Sequence, residues 1–229
     1  MALILSIETA ISVCAVAVHQ NGKLVGEIEL HQENVHARKL MPSIKLLLDQ
    51  AEIKPGTLDA VAVSQGPGSY TGLRIGVSTA KGLAFAHDIP LIGVDTLDAL
   101  AWKTKGFVKK TDFVVPMIDA RRMEVYCKVL NGAGEEIEPL SPKIVDKDGF
   151  GEYLDKSRVY FLGDAVAKVQ EVVLHPNACY LPLVNSASSV GELAFRKYRE
   201  GEFEDIAYFE PNYLKEFRVI KSKKNPLLL

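Results

Sequence analysis

The sequence predicts an α/β protein of two lobes, each opening on an antiparallel meander that joins helix-linked strands. Three observations carry that expectation. Short apolar runs at Leu3–Ile7, Val13–Val18, Ala60–Val63 and Leu91–Val94 have the length of buried strands. Segments with helical spacing of apolar residues stand between and after them. The strand–acid–turn–strand pattern of the first thirty residues returns in the second half, where Asp119 stands 111 positions after Glu8.

Taken in order, Asn21-Gly22 separates Val13–Val18 from Leu24–Leu30. Both residues of that pair tolerate positive φ, so a two-residue hairpin is expected there. Leu40, Ile44, Leu47 and Leu48 recur at helical spacing and predict a helix over residues 36–52, ended by Pro55-Gly56. Further helices are expected over Thr71–Ala86, Thr96–Trp102 and Ser188–Arg199, the last with Val190, Leu193, Ala194 and Tyr198 inward. After Lys103-Thr104-Lys105-Gly106 the pattern restarts. Phe113–Ile118 ends in Asp119, Val125–Leu130 is closed by Asn131-Gly132, and Val159–Leu162 ends at Gly163-Asp164. Setting Glu8 over Asp119 matches Ile7 to Ile118 and lays Cys14-Ala15-Val16 over Val125-Tyr126-Cys127. A duplicated unit explains this, and so do two unrelated hairpins. On the first reading the lobes are residues 1–105 and 106–229. The order of elements is that of the actin-like, sugar-kinase and Hsp70 ATPase (ASKHA) architecture, with two ribonuclease-H-like subdomains. Strand–helix alternation alone does not select it from other α/β folds.

Composition bounds the function. With 229 residues, 48% hydrophobic and 24% charged, the chain can bury a sizeable core. A formal net charge of -2 argues against a protein that engages nucleic acid by itself over a broad surface. Cys14, Cys127 and Cys179 are an odd set without close pairing and read as small apolar residues in a reducing compartment. No stretch approaches a membrane span, and the first apolar run is too short for a signal peptide, so a cytoplasmic location is expected.

The sharpest motif is Ser64-Gln65-Gly66-Pro67-Gly68-Ser69-Tyr70-Thr71-Gly72-Leu73-Arg74-Ile75-Gly76. Gly66, Gly68 and Ser69 between a strand and a helix fit a phosphate cradle at the helix N-terminus, with Arg74 adding charge. They equally fit a tight turn that Ser69 or Thr71 caps. In the helix, Gly72, Gly76, Ala80 and Ala84 lie four apart and make a stripe almost free of side chains. Such a stripe admits a second backbone, either the chain's own sheet or a helix of another subunit. With Leu40, Ile44, Leu47 and Leu48 it forms the candidate interface. Glu8-Thr9 and Asp119-Ala120 sit where actin-like ATPases hold Mg²⁺ and phosphates. Arg121, Arg122 and Met123 offer bulk and no glycine after Asp119, which argues against ordinary ATP chemistry; the plain alternative is acids that cap and pair. His19, His31, His36, His87 and His175 form no metal-ligand spacing, so neither a metal nor a cofactor is expected. Lys221, Lys223 and Lys224 precede the apolar end Leu227-Leu228-Leu229, a tail that is either solvated or docked.

Gln65 to Gly76, with Lys81-Gly82-Leu83-Ala84 and Pro90-Leu91-Ile92-Gly93-Val94, resembles the segment shared by the TsaB (YeaZ) and TsaD/Kae families. Ile7-Glu8-Thr9-Ala10, Ile118-Asp119-Ala120-Arg121 and Glu210-Pro211-Asn212-Tyr213-Leu214 resemble TsaB in particular. TsaD continues with Asn-His-x-x-x-His, whose histidines bind a metal; here that run is Asp95-Thr96-Leu97-Asp98-Ala99-Leu100, with Thr96 and Leu100 at the ligand positions. The resemblance therefore implies a non-catalytic paralogue. It implies a heterodimer with a TsaD-type subunit, joined by a TsaE-type ATPase, that transfers a threonylcarbamoyl group to a tRNA adenosine. It also implies contact with tRNA through the complex and a homodimer when the chain is alone. A free-standing actin-fold kinase or ATPase is the competing reading.

Overall fold

The computed structural model describes residues 2–214. The first sheet contains β1 (Leu3–Glu8), β2 (Val13–Gln20), β3 (Lys23–His31), β4 (Ala60–Ser64) and β5 (Leu91–Val94), in the order β3-β2-β1-β4-β5. The second contains β6 (Phe113–Asp119), β7 (Glu124–Asn131), β8 (Glu136–Ile144), β9 (Val159–Gly163) and β10 (Ala178–Leu181), in the order β10-β9-β6-β7-β8. In each, the first three strands run antiparallel and the next two add in parallel. The two sheets thus share one topology, and of the two explanations the duplicated unit is the one the fold bears out. Glu8 faces Ala15 across its hairpin and Asp119 faces Val125, so the second lobe closes this turn with one residue fewer.

Local chemistry explains the joints. Asn21 and Gly22 both take positive φ, at 51° and 77°, and turn β2 into β3 as the Asn-Gly pair requires. Helix α1 (His36–Gln50) buries Leu40, Ile44, Leu47 and Leu48. Helix α2 (Tyr70–His87) starts on Ser69, whose hydroxyl accepts the Gly72 N–H, and ends on Asp88 in the left-handed region. Both pack on the outer face of the first sheet, in a cluster with Leu5, Ile7, Val16 and Val63. Helix α3 (Thr96–Trp102) lies between the sheets: Leu97 clusters with Ile118, and Leu100 with Val114 and Leu162. The short helices α4 (Gly151–Leu154) and α5 (Val166–Gln170) cover the far face of the second sheet.

Helix α6 (Ala187–Glu200) corrects the expected domain limits. Its Val190 and Ala194 pack on Ile4, Ala60, Ala62 and Ile92 of the first sheet, not on the second. The segment after it stays there too: the Glu204 N–H donates to the Leu91 carbonyl at 2.9 Å, and Asn212 to Gln65 at 2.7 Å. The first lobe therefore holds the beginning and the described end of the chain, and residues 106–229 are not one unit. Lys128 ties the lobes together electrostatically. It is 5% exposed on β7 and reaches Asp98 at 2.7 Å and Asp95 at 3.3 Å, both at the start of α3. Lys221, Lys223, Lys224 and Leu227–Leu229 lie outside the described residues.

Candidate functional site

The two strand-end acids lead to very different surroundings. Glu8 ends β1 fully buried. Its Oε1 accepts the Ala10 N–H at 2.6 Å and the Ser64 hydroxyl at 2.9 Å. Glu29 stands on the same face of the sheet, one strand beyond the small Ala15. Burial lifts the Glu8 carboxyl to about 7, and Glu29 adds to the rise, while the hydrogen bonds from Ala10, Ser64 and Thr9 oppose it. Oε2 of Glu8 has no hydrogen-bond partner among the described residues. The acid is therefore enclosed by the protein, with one oxygen bonded and the other unpartnered.

The glycine turn is closed on the protein itself. Gly66 donates its N–H to the Thr96 hydroxyl at 3.0 Å, and Thr96 returns its own N–H to the Gly66 carbonyl at 3.0 Å. Ser69 donates to the Ala10 carbonyl at 2.6 Å. A Cβ placed on Gly68, Gly72 or Gly76 would collide with Ala10 O, Thr9 O or Thr9 Oγ1 respectively. The Thr9–Ala10 turn thus lies in the groove that the glycines leave. Arg74 turns away from this groove, stacked 4.3 Å over the Tyr70 ring, with Nε donating to the Tyr213 hydroxyl at 3.3 Å. Of the two expectations for Glu8, Thr9, Gly66, Gly68 and Ser69, this geometry matches the tight turn that Ser69 caps. The N–H groups of Gly66 and Ser69 are spent internally, and the glycine spaces are filled by backbone.

Asp119, the counterpart of Glu8, is exposed. Its Oδ1 accepts the Arg121 N–H at 2.6 Å and the Lys168 ammonium at 2.7 Å. Lys168 also reaches the carbonyls of Arg122 at 3.0 Å and Glu124 at 2.7 Å. Arg121 and Arg122 take φ of 68° and 50°, a conformation that side chains rarely adopt. The turn closes tightly without the glycine that the sequence lacks.

The candidate interface residues are corrected as well. Leu40, Ile44, Leu47, Leu48, Gly72, Gly76, Ala80 and Ala84 are all buried within the chain. They pack on its own sheet and on the Thr9 turn, so these side chains are not available to another subunit. The opposite faces of the same helices expose Met41, Leu46 and Phe85, the last 80% accessible. Gly82 there has open space around its Cα.

Thr96 and Leu100 both have structural work. Thr96 is buried in its reciprocal pair with Gly66, and its carbonyl accepts the Asn185 side-chain amide at 2.8 Å. Leu100 belongs to the apolar cluster between the lobes. No group of three or more His, Cys, Asp or Glu suited to a metal occurs among the described residues. Cys14 and Cys127 are buried and Cys179 half-buried, all unpaired with one another. No helix of the described residues is long and apolar enough to cross a membrane. Sequence reasoning missed the strap of residues 204–213. Lys81 holds it by the Phe209 carbonyl at 3.0 Å, and Tyr213 packs at a tilt of 40° against Tyr70 with ring centres 4.7 Å apart. Its one visible signal was the Glu210–Leu214 run, which says nothing of where the strap lies.

Comparison with known proteins places this architecture. The chain is 32% identical to the Escherichia coli (strain K12) tRNA threonylcarbamoyladenosine biosynthesis protein TsaB, over 93% of this chain and 94% of that protein. The chain belongs to the TsaB family. The Bacillus subtilis (strain 168) TsaB is 31% identical over 96% of this chain and 99% of its own length. Residues 23–218 match the family described as TsaD, tRNA N6-adenosine threonylcarbamoyltransferase. Among solved structures, YeaZ from Pseudomonas aeruginosa superposes with a TM-score of 0.79 at 28% identity, covering 93% of this chain and 100% of that one. An activator of 2-hydroxyisocaproyl-CoA dehydratase from Clostridium difficile, with bound ADPNP, superposes with a TM-score of 0.52 at 10% identity, covering 87% of this chain and 97% of that one. That likeness extends the TsaB fold to the actin-like class and no further.

Proposed function

We propose that this chain is the non-catalytic scaffold of a complex that forms N6-threonylcarbamoyladenosine in tRNA. It docks on a TsaD-type subunit in the cytoplasm, is joined by a TsaE-type ATPase, and meets tRNA through that complex; alone, it forms a homodimer. The reaction is carried over from the relatives' names. The observation that carries the non-catalytic part is the pair Thr96 and Leu100. They stand where the TsaD resemblance places histidine ligands. One is a hydroxyl clamped to Gly66 and the other a buried leucine, and neither side chain is a tight metal ligand.

The docking surface follows from the burial pattern. Helices α1 and α2 lie side by side with their inner faces spent on the sheet, and they present Met41, Leu46 and Phe85 outward. Exposed aromatic and Met side chains on rigid helices are the residue types that anchor protein interfaces. The test is reconstitution with the TsaD-type subunit of the same organism. A Phe85→Asp chain is expected to keep its far-ultraviolet spectrum and melting temperature. It is expected to lose about 2 kcal/mol or more of heterodimer affinity, as central anchors do. Titration calorimetry reads this directly, and unchanged affinity moves the interface elsewhere. ATP turnover by the chain alone is expected to be negligible. A rate above roughly 1 s⁻¹, ordinary for a dedicated enzyme, favours the kinase reading instead.

A further inference from the structure

Two arginines in the second lobe occupy a backbone conformation that suits glycine. At Asn21-Gly22 the chain makes a left-handed pair of residues with the types that accept it. At Arg121-Arg122 it makes another with two of the bulkiest polar side chains. A local rule broken in this way points to a need for the side chains themselves. The turn is also fixed in place. Lys168 holds Asp119, the Arg122 carbonyl and the Glu124 carbonyl at once, and Asp119 holds the Arg121 N–H. Lys168 thereby offsets the charge of Asp119, beside which Asp164 accepts the Asp119 N–H. Arg121 and Arg122 are exposed, and neither guanidinium has an ion-pair or hydrogen-bond partner among the described residues. Arg74 and Arg196, by contrast, lie over aromatic rings, and Arg158 bonds Tyr160; Arg38 and Arg199 are single exposed arginines on helices.

We infer that Arg121 and Arg122 are a phosphate-contact point for the RNA backbone, a role that rests on the proposed membership of a tRNA-modifying complex. Guanidinium forks match phosphate oxygens in a planar, bidentate way, and backbone contacts of this kind set the register of an RNA without reading its sequence. A rigid turn presents them without further ordering cost. An acidic protein surface is the rival occupant. It fits less well, because a protein hot spot needs an apolar anchor seated in a water-excluding pocket. The apolar neighbours at the tip, Met123 and Ile144, are both exposed, with Ile144 opposite Glu124.

The experiment uses the complex of this chain with its TsaD-type partner and an unmodified tRNA transcript. Binding is measured over a salt series for wild type, the double variant Arg121→Gln with Arg122→Gln, and the double lysine variant. The glutamine variant is expected to bind on the order of tenfold more weakly near physiological salt, and its plot of log affinity against log salt should be shallower by about 1 to 2. The lysine variant, which keeps both charges, should retain the wild-type slope. Unchanged affinity and slope in an intact complex overturn this inference and leave the scaffold reading standing. Loss of the complex itself also overturns it, because the turn is then a protein contact. If the wild-type chain does not associate with the TsaD-type subunit, the scaffold reading fails and this inference fails with it.

Discussion

Replacing Gly72 with alanine is expected to destabilise the chain, whereas the same change at Gly82, ten residues along the same helix, is expected to stabilise it. Alanine in place of glycine inside a helix gains up to about 1 kcal/mol. At Gly82 nothing lies within 4 Å of the new methyl, so that gain stands. At Gly72 the methyl meets the carbonyl oxygen of Thr9, a backbone atom that cannot rotate away. Overpacking of a fixed core costs typically about 1–3 kcal/mol and sometimes more, so the net effect is a loss. Gly76 is intermediate, because its contact is the Thr9 hydroxyl on a buried side chain. Gly76→Leu carries three further carbons into the same space and is expected to prevent folding outright, against a total stability of about 5–15 kcal/mol for a typical domain. Urea titrations of the three alanine variants, with circular dichroism of Gly76→Leu, decide the matter. A folded Gly76→Leu chain with native stability means that the stripe does not enclose Thr9.

This case shows how far the sequence reaches. The four-residue spacing of Gly72, Gly76, Ala80 and Ala84 announces a close approach, and the close approach exists. The spacing cannot say what approaches, because a sheet-end turn and a foreign helix demand the same absence of side chains. The strands of the first lobe were legible because each is a continuous apolar run bounded by turn residues. The edge strand β8 was not, since Glu136–Ile144 contains Pro139 and Pro142 and only half-buried or exposed residues. The inward face of α6 was legible at Val190 and Ala194, but its return to the first sheet was not, because an apolar stripe does not name its partner. The left-handed turn at Arg121-Arg122 was hidden for the opposite reason. Residue type argued against the conformation that the clamp of Asp119 and Lys168 supports.

The buried Glu8 should make the fold weaker as the pH rises through neutrality. Its carboxyl moves from an ordinary value of 4.5 to about 7 on folding. A folded-state value above the unfolded one means that the native protein holds the proton more tightly. The contribution is fully present below about pH 4.5 and is lost as the pH rises through about 7. One unit of displacement corresponds to about 1.4 kcal/mol, so the full effect is roughly 3 kcal/mol. Glu27 and Asp95, also raised by burial, act in the same direction. His19 acts in the other: burial lowers its value, so its contribution is lost as the pH falls below the ordinary histidine range. The Glu8 part is isolated by comparison with Glu8→Gln. Glutamine keeps an oxygen to accept from Ala10 and Ser64 and carries no charge to bury. Relative to wild type, the variant is expected to gain about 2–3 kcal/mol between pH 5 and pH 8.5, read from urea midpoints at both values. Parallel pH profiles for the two chains would mean that Glu8 ionises without penalty in the fold, and the buried, half-partnered carboxyl would have to be given up. A variant that converges with wild type at low pH and exceeds it at high pH locates the proton on Glu8.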